Sequence, residues 1–271
     1  MNASQESYHT WVLPDGTPSN ARAILLQRWN EAARLAGLDS IDLGSVDGHT
    51  LSLFHHPQCA GRGVRLLITA GFHGEEPAGP WGLLAWLGNQ AASWQTRFAG
   101  LADIYMIPLV NATGFQAGRR FNDRGENPNR GFPLEHDLTT PSAEGAVLLS
   151  HATLLCEISR DGVLSCHEDV AAHGAYIYAL ENQVKPSDRS RAIVACAEKF
   201  LPRHEDGTVD DCTVKNGIVF NQFDGSFESW LCREGASYGA CLETPGQQDI
   251  ALRIAAQAAM IECFVQSALD A

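Results

Sequence analysis

The chain has 271 residues, 45% of them apolar and 19% charged, with a formal net charge of −13. That length can bury a sizeable core in one domain, and the balance is that of a globular chain, neither disordered nor membranous. The excess of carboxylates leaves no basic stripe for a nucleic acid or an anionic membrane surface, so neither is expected as a partner. A small substrate can still meet a local basic pocket in an acidic protein. The opening residues, MNASQESYHTWVLPDG, lack the charged-then-apolar pattern of a leader, and no apolar run approaches a membrane span. Eight Cys are scattered without paired spacing, and Cys156, Cys166, Cys196, Cys241 and Cys263 fall in apolar patterns. That usage points to reduced core thiols and a cytoplasmic location.

In chain order, Thr17-Pro18-Ser19 opens a helical pattern that runs to Leu35, with Gly37 as its stop. Segments 41–46 and 50–55 flank Asp47-Gly48 and read as a hairpin. VRLLITA, 64–70, is a nearly unbroken apolar run, the mark of a strand buried on both faces. Gly71 ends it, His73 and Glu76 follow, and Pro77 precedes a helical pattern over 80–87. A second apolar strand is predicted at 102–110, then a long Gly-, Asn- and Arg-rich loop over 111–133. A helix over 142–158 starts from Ser142 as N-cap, with Glu144 in its first turn. Strand 162–166 ends at His167, and strand 175–180 and helix 186–201 follow. Strand 238–242 ends at Glu243, and a helix over 250–269 closes the chain. There is no repeat and no linker. The alternation implies an α/β fold, one domain over 1–271 with a mixed, mostly parallel sheet and helices on both faces. Its N-terminal helix and hairpin fill 1–60 and its chemistry lies in 64–246.

In such sheets ligands gather beyond the carboxyl ends of the strands, where His73, His167 and Glu243 are all expected. Imidazole nitrogen and carboxylate oxygen suit Zn²⁺, and a catalytic site takes three protein ligands and leaves one position open. His73 and Glu76 supply two, and His167, at the end of LSCH, is the best third. His173 is its rival, but sits in a loop. Water activated by a metal still needs a base, and Glu243, in CLETPG, is held by the Pro245-Gly246 turn. The long loop carries Arg119, Arg120, Arg124 and Arg130 in an otherwise acidic chain. A guanidinium fork grips a carboxylate bidentately, and Asn129 beside Arg130 adds an amide donor.

Together these segments resemble the zinc carboxypeptidases, the M14 metallopeptidases typified by carboxypeptidase A. GFHGEEPAG is similar to the family's His-x-x-Glu segment, and GRRFNDRGENPNRGFP to its Arg…Gly-x-Asp-x-Asn-Arg-x-Phe-Pro block. LSCH supplies the second His and GACLETPG the Glu segment. The spacing is closest to the small bacterial branch that includes murein peptide amidase and shades into succinylglutamate desuccinylase and aspartoacylase. The resemblance implies a carboxypeptidase-like fold and one Zn²⁺ per chain on His73, Glu76 and His167. It makes Glu243 the general base and then acid, and gives Arg120 the scissile carbonyl and oxyanion. Asn129 and Arg130 would grip the substrate's terminal carboxylate. Two departures stand out. Asn127 occupies the position of the family's usual Asp, with Glu126 beside it, and NGIVFNQFDGSFESW has Phe220, Phe223 and Phe227 but no Tyr for a lid.

The expected function is zinc-dependent hydrolysis of an amide bond beside a free carboxylate in a small peptide, as by a metallocarboxypeptidase or murein peptide amidase. The alternatives are an N-acyl amino acid deacylase of the desuccinylase or aspartoacylase type and a non-catalytic zinc- or carboxylate-binding protein. The substrate is a small peptide or acyl-amino acid. Side-chain preference and oligomeric state are not encoded legibly.

Overall fold

A computed structural model describes residues 11–58 and 63–270. The first ten residues of the polar N-terminal segment, His9 among them, lie outside it, as does Cys59. The described elements are α1 Arg22–Ala36, β1 Asp39–Val46, β2 His49–His55, β3 Val64–Ala70, α2 Ala78–Gln90, α3 Trp94–Phe98, β4 Ala102–Ile107 and α4 Ala112–Ala117. Then come α5 Ala143–Ser150, α6 Ala152–Ile158, β5 Gly162–Asp169, β6 Tyr176–Glu181, α7 Asp188–Ala197, β7 Gly207–Val209 and β8 Cys212–Lys215. β9 Ile218–Phe220, α8 Phe227–Arg233, β10 Tyr238–Pro245 and α9 Ile250–Leu269 complete the chain.

All the strands join one ten-stranded sheet in the order β1-β2-β4-β3-β5-β10-β6-β9-β8-β7. The centre, β4-β3-β5-β10, is parallel throughout, and antiparallel hairpins finish both edges. Alternation along the central strands feeds two cores. Leu66, Ile68 and Ala70 of β3 face Trp29, Trp86, Ile193 and Phe264 from α1, α2, α7 and α9. Leu67 faces the other way, toward Leu148, Leu155 and Trp230 from α5, α6 and α8. A strand flanked this way has no solvent side, which is why its sequence reads as a continuous apolar run. β3 pairs with β4 on one side and β5 on the other, so the chain order reverses there and opens a crevice at the strands' carboxyl ends.

Local chemistry explains the boundaries. Gly37 takes φ 71° and ends α1, and Asp47-Gly48 turns the β1–β2 hairpin with φ 50° and 79°. The helix over 142–158 is two, broken at His151 (φ −107°, ψ 22°), whose Nε2 lies 2.7 Å from the Leu43 carbonyl. The loop over 111–133 contains α4, whose N-terminus is capped by Asn111 Oδ1 accepting from Gly114 N at 2.8 Å. α9 is long and apolar enough to cross a membrane by length and composition, against the reading that no run approaches a span. Here it is a core helix, with Met260, Ile261, Phe264 and Val265 fully buried.

Candidate metal centre

β3 delivers the first part of the site. Gly71, at φ 71°, turns the chain off the strand, and α2 begins at Ala78 pressed against β5. A Cβ on Gly79 would stand 2.6 Å from the Cys166 carbonyl, so only glycine lets α2 lie this close to the strand that carries His167. His167 and Glu243 were expected just past their strand ends. Both lie two residues inside, because the parallel β5–β10 pairing continues through Glu243 opposite His167 to Pro245 opposite Asp169.

His73, Glu76 and His167 converge, with donor atoms within 4.8 Å of one another, and are 3%, 2% and 2% exposed. His73 Nδ1 is 2.7 Å from Glu76 Oε1, and His167 Nδ1 is 2.8 Å from Glu76 Oε2. Two imidazole nitrogens and a carboxylate aimed at one point form the donor set of a catalytic zinc site, so these residues fit such an ion. His173 is exposed and outside the cluster. Burial penalises a charge on either histidine. For His73 burial wins and its pKa is lowered. For His167 the Glu76 carboxylate outweighs burial and lifts it to about 9. Glu76, despite burial, is held well below the usual carboxylate range by the two histidines.

The outer nitrogens are held differently. His73 Nε2 lies 3.0 Å from Asn127 Oδ1, whereas His167 Nε2 lies 3.2 Å from Asn129 Nδ2. Asn129's oxygen is taken by Phe227 N at 2.9 Å, and its nitrogen also approaches Glu228 Oε2 at 3.5 Å. Asn129 is therefore buried with its amide engaged against His167. Glu126 points elsewhere, accepting from Asn122 Nδ2 and Ala143 N, each at 2.9 Å. It lends no charge to His73.

The three metal-site residues open into a cavity of about 500 Å³ that Arg120, Asn129, Arg130 and Glu243 also line. Burial pushes the Glu243 carboxyl up, with Glu76 and Asp169 adding repulsion against the pull of His167, to about 8. Arg120 Nη1 is 3.2 Å from Glu76 Oε1 and 3.4 Å from Glu75 Oε1, and these carboxylates keep its guanidinium charged despite burial. Arg130 Nη2 is 3.3 Å from Asp224 and Nη1 donates to the Asn129 carbonyl at 2.7 Å. Arg119 and Arg124 pair with Asp123 and Asp47, so of the loop's arginines only Arg120 and Arg130 enter the cavity.

Sequence reasoning missed the far wall. Tyr176 and Tyr178 of β6 line it, their hydroxyls donating to Asp169 and Asp210 at 3.0 Å each. The i, i+2 spacing in AYIYALE marks them as sharing a face, but nothing in it says which face meets the site. Of the aromatic residues weighed for a lid, Phe223 lines the cavity and Phe227 is core.

The chain is similar to several known proteins in family and fold. Residues 62–186 match the model of the succinylglutamate desuccinylase/aspartoacylase catalytic domain. No curated protein matches the chain. Among solved structures, a "putative metallopeptidase" from Shewanella amazonensis is 42% identical, with a TM-score of 0.89 over 96% of this chain and 98% of that one. One of the same description from Shewanella denitrificans is 39% identical, with a TM-score of 0.90 over the whole of both chains. A metallo-carboxypeptidase from Burkholderia cenocepacia, 15% identical with a TM-score of 0.65 over 94% of this chain and 70% of that one, shares the fold alone.

Proposed function

This chain belongs with the Shewanella proteins described as "putative metallopeptidase" and carries the carboxypeptidase fold, and on that premise we propose that it is an M14-like hydrolase that cleaves an amide bond beside a free carboxylate in a small peptide, with one zinc ion. The observation that carries the reading is the pairing of Glu243 with His167 across β10 and β5, which sets a carboxylate of raised pKa beside a His–Glu–His donor set. A binding protein has no use for a proton carrier there.

His73 and His167 would hold the zinc through Nδ1, and Glu76 through its carboxylate. When bound, the ion supplies a Lewis acid that acidifies water and polarises a carbonyl. Glu243 takes the proton of the attacking water and returns it to the leaving amine. Arg120 faces the developing oxyanion with a fixed positive charge, in a site where burial strengthens that interaction. Arg130 receives the terminal carboxylate, which displaces Asp224 from its guanidinium.

Hydrolysis of an N-acyl amino acid is a second reading, favoured by the desuccinylase/aspartoacylase match. The cavity's charge argues against its N-succinyl form, though not against an N-acetyl amino acid with a single carboxylate. Asp169, Asp210, Asp224 and Glu228 join Glu243 on the lining, opposed by Arg120 and Arg130. A substrate with two or more carboxylates meets more repulsion there than a peptide with one. The test is to assay zinc-loaded protein on peptides with a free C-terminus, on the same peptides amidated, and on N-succinyl and N-acetyl amino acids. Peptide turnover that amidation abolishes is expected. Turnover of the acyl-amino acids alone overturns the peptide reading, and no turnover of any substrate by the loaded protein leaves only the binding role.

A further inference from the structure

The helix that closes the chain reaches the metal centre from behind. Arg253 and Gln257 lie one turn apart on α9 and both turn toward β5. Gln257 Nε2 donates to the His167 carbonyl at 2.6 Å, and Arg253 Nη1 donates to Glu168 Oε2 at 2.6 Å. The Thr244 hydroxyl approaches the same oxygen at 3.4 Å. The other oxygen of Glu168 accepts from Ala78 N, the first residue of α2, at 2.7 Å. Finally, the Glu168 N–H donates to Glu76 Oε2 at 3.2 Å. Glu168 thus ties together the segment after His73 and Glu76, the strand of His167, the residue following Glu243, and α9.

As a stabilising device this pair is poorly made. The Arg253 and Glu168 side chains are 1% and 0% exposed, so both charges are stripped of water. Arg253 Nε and Nη2 are buried without a hydrogen-bond partner among the described residues, with Trp11 stacked 4.6 Å from the guanidinium. Apolar residues of similar volume often replace such a pair with no loss of stability. What apolar residues could not do is hold one carboxylate between α2, β10 and the amide that binds Glu76.

We propose that Arg253, acting through Glu168, is a positioning residue for the metal centre: it fixes Glu168 so that the Ala78 and Glu168 amides hold the Glu76 and His167 segments in donor geometry. The proposal rests on the metal reading of that site. Groups behind metal ligands typically carry about 10–100-fold in affinity.

The test compares wild-type protein with Glu168→Gln and with the double variant Glu168→Gln/Arg253→Met, in which no charge is left buried alone. Zinc Kd is measured by chelator competition, and the Tm of metal-free protein beside it. The expected result is a zinc Kd weaker by about 10–100-fold in both variants, with the metal-free Tm close to wild type in the double variant and lowered in Glu168→Gln, which leaves the Arg253 charge unpaired. A Kd within twofold of wild type, in whichever of the two variants is folded, overturns the proposal. So does an affinity loss that merely follows a collapse of the metal-free Tm. Wild-type protein that takes up no zinc overturns this proposal and the function reading together, whereas wild-type binding with unchanged variants overturns this proposal alone.

Discussion

Asn127 Oδ1 stands 3.0 Å from His73 Nε2 and accepts the Asn129 N–H at the same distance. Two donors on one oxygen orient the amide, so His73 presents Nδ1 to the metal position and keeps its proton on Nε2. The support is correct in geometry and lacks only charge. Asn127→Asp keeps both acceptor contacts and adds that charge, so zinc affinity should rise. Asn127→Leu removes both, and affinity should fall about 10–100-fold. Chelator competition on the two variants checks this, and equal affinities would show that the contact does not matter.

Zinc uptake should release protons at neutral pH. His167 is held up to about 9 by Glu76, so metal-free protein at pH 7 carries a proton that a ligand nitrogen must give up. Calorimetry in buffers of different ionisation enthalpy should find at least one proton released per zinc at pH 7. A titration with no buffer dependence contradicts the assignment.

The same shift sets a stability slope. A histidine whose folded pKa is raised binds its proton more tightly when folded, so its contribution is complete below the ordinary value of 6.5 and is lost as pH climbs through about 9. Glu243, raised to about 8, acts in the same direction from its ordinary 4.5 upward. Metal-free protein should therefore melt lower at pH 9 than at pH 6. Zinc-loaded protein should lose the His167 part of that slope, because the ion takes the place of the imidazole proton.

Glu243→Gln keeps the shape of the candidate base and removes its proton transfer. Turnover should fall about 10²–10⁴-fold with zinc content unchanged. Peptidase activity that survives in a fully loaded variant would rule Glu243 out.

The two cavity arginines should separate kinetically. Arg120→Met should lower kcat by about 10²–10³-fold, as for loss of an oxyanion donor. Arg130→Met should chiefly raise KM and erase the preference for a free over an amidated C-terminus. Steady-state kinetics on matched free and amidated peptides distinguish them.

Gly79→Ala tests the approach of α2 to β5. Its Cβ would lie 2.6 Å from a backbone oxygen that cannot swing aside, so the helix must move. A loss of about 1–3 kcal/mol in stability is expected, read by denaturant unfolding.

Much of this was legible in one dimension. β3 and α9 match their sequence patterns from end to end, because a long apolar run or a sustained helical period outweighs local ambiguity. Gly37, Asp47-Gly48 and Ser142 act as the stop, turn and cap that their residue types dictate. The short elements β7, β8, β9 and α8 carry too few residues for a period to emerge. His73, Glu76, His167 and Glu243 could be picked out because each adjoins an apolar strand, and strand ends are where this architecture gathers ligands. What only the tertiary structure decided is which neighbours those residues have. Asn127 behind His73, Asn129 facing His167, the Tyr176–Tyr178 wall, and Arg253 behind Glu168 join residues from 2 to 85 positions apart. Sequence alone determined the longer elements and the chemistry near the carboxyl ends of the central strands, since propensity and periodicity are local. Pairing order and helix packing determined how that chemistry is held, since buried polar groups find partners by proximity in space, which no local pattern records.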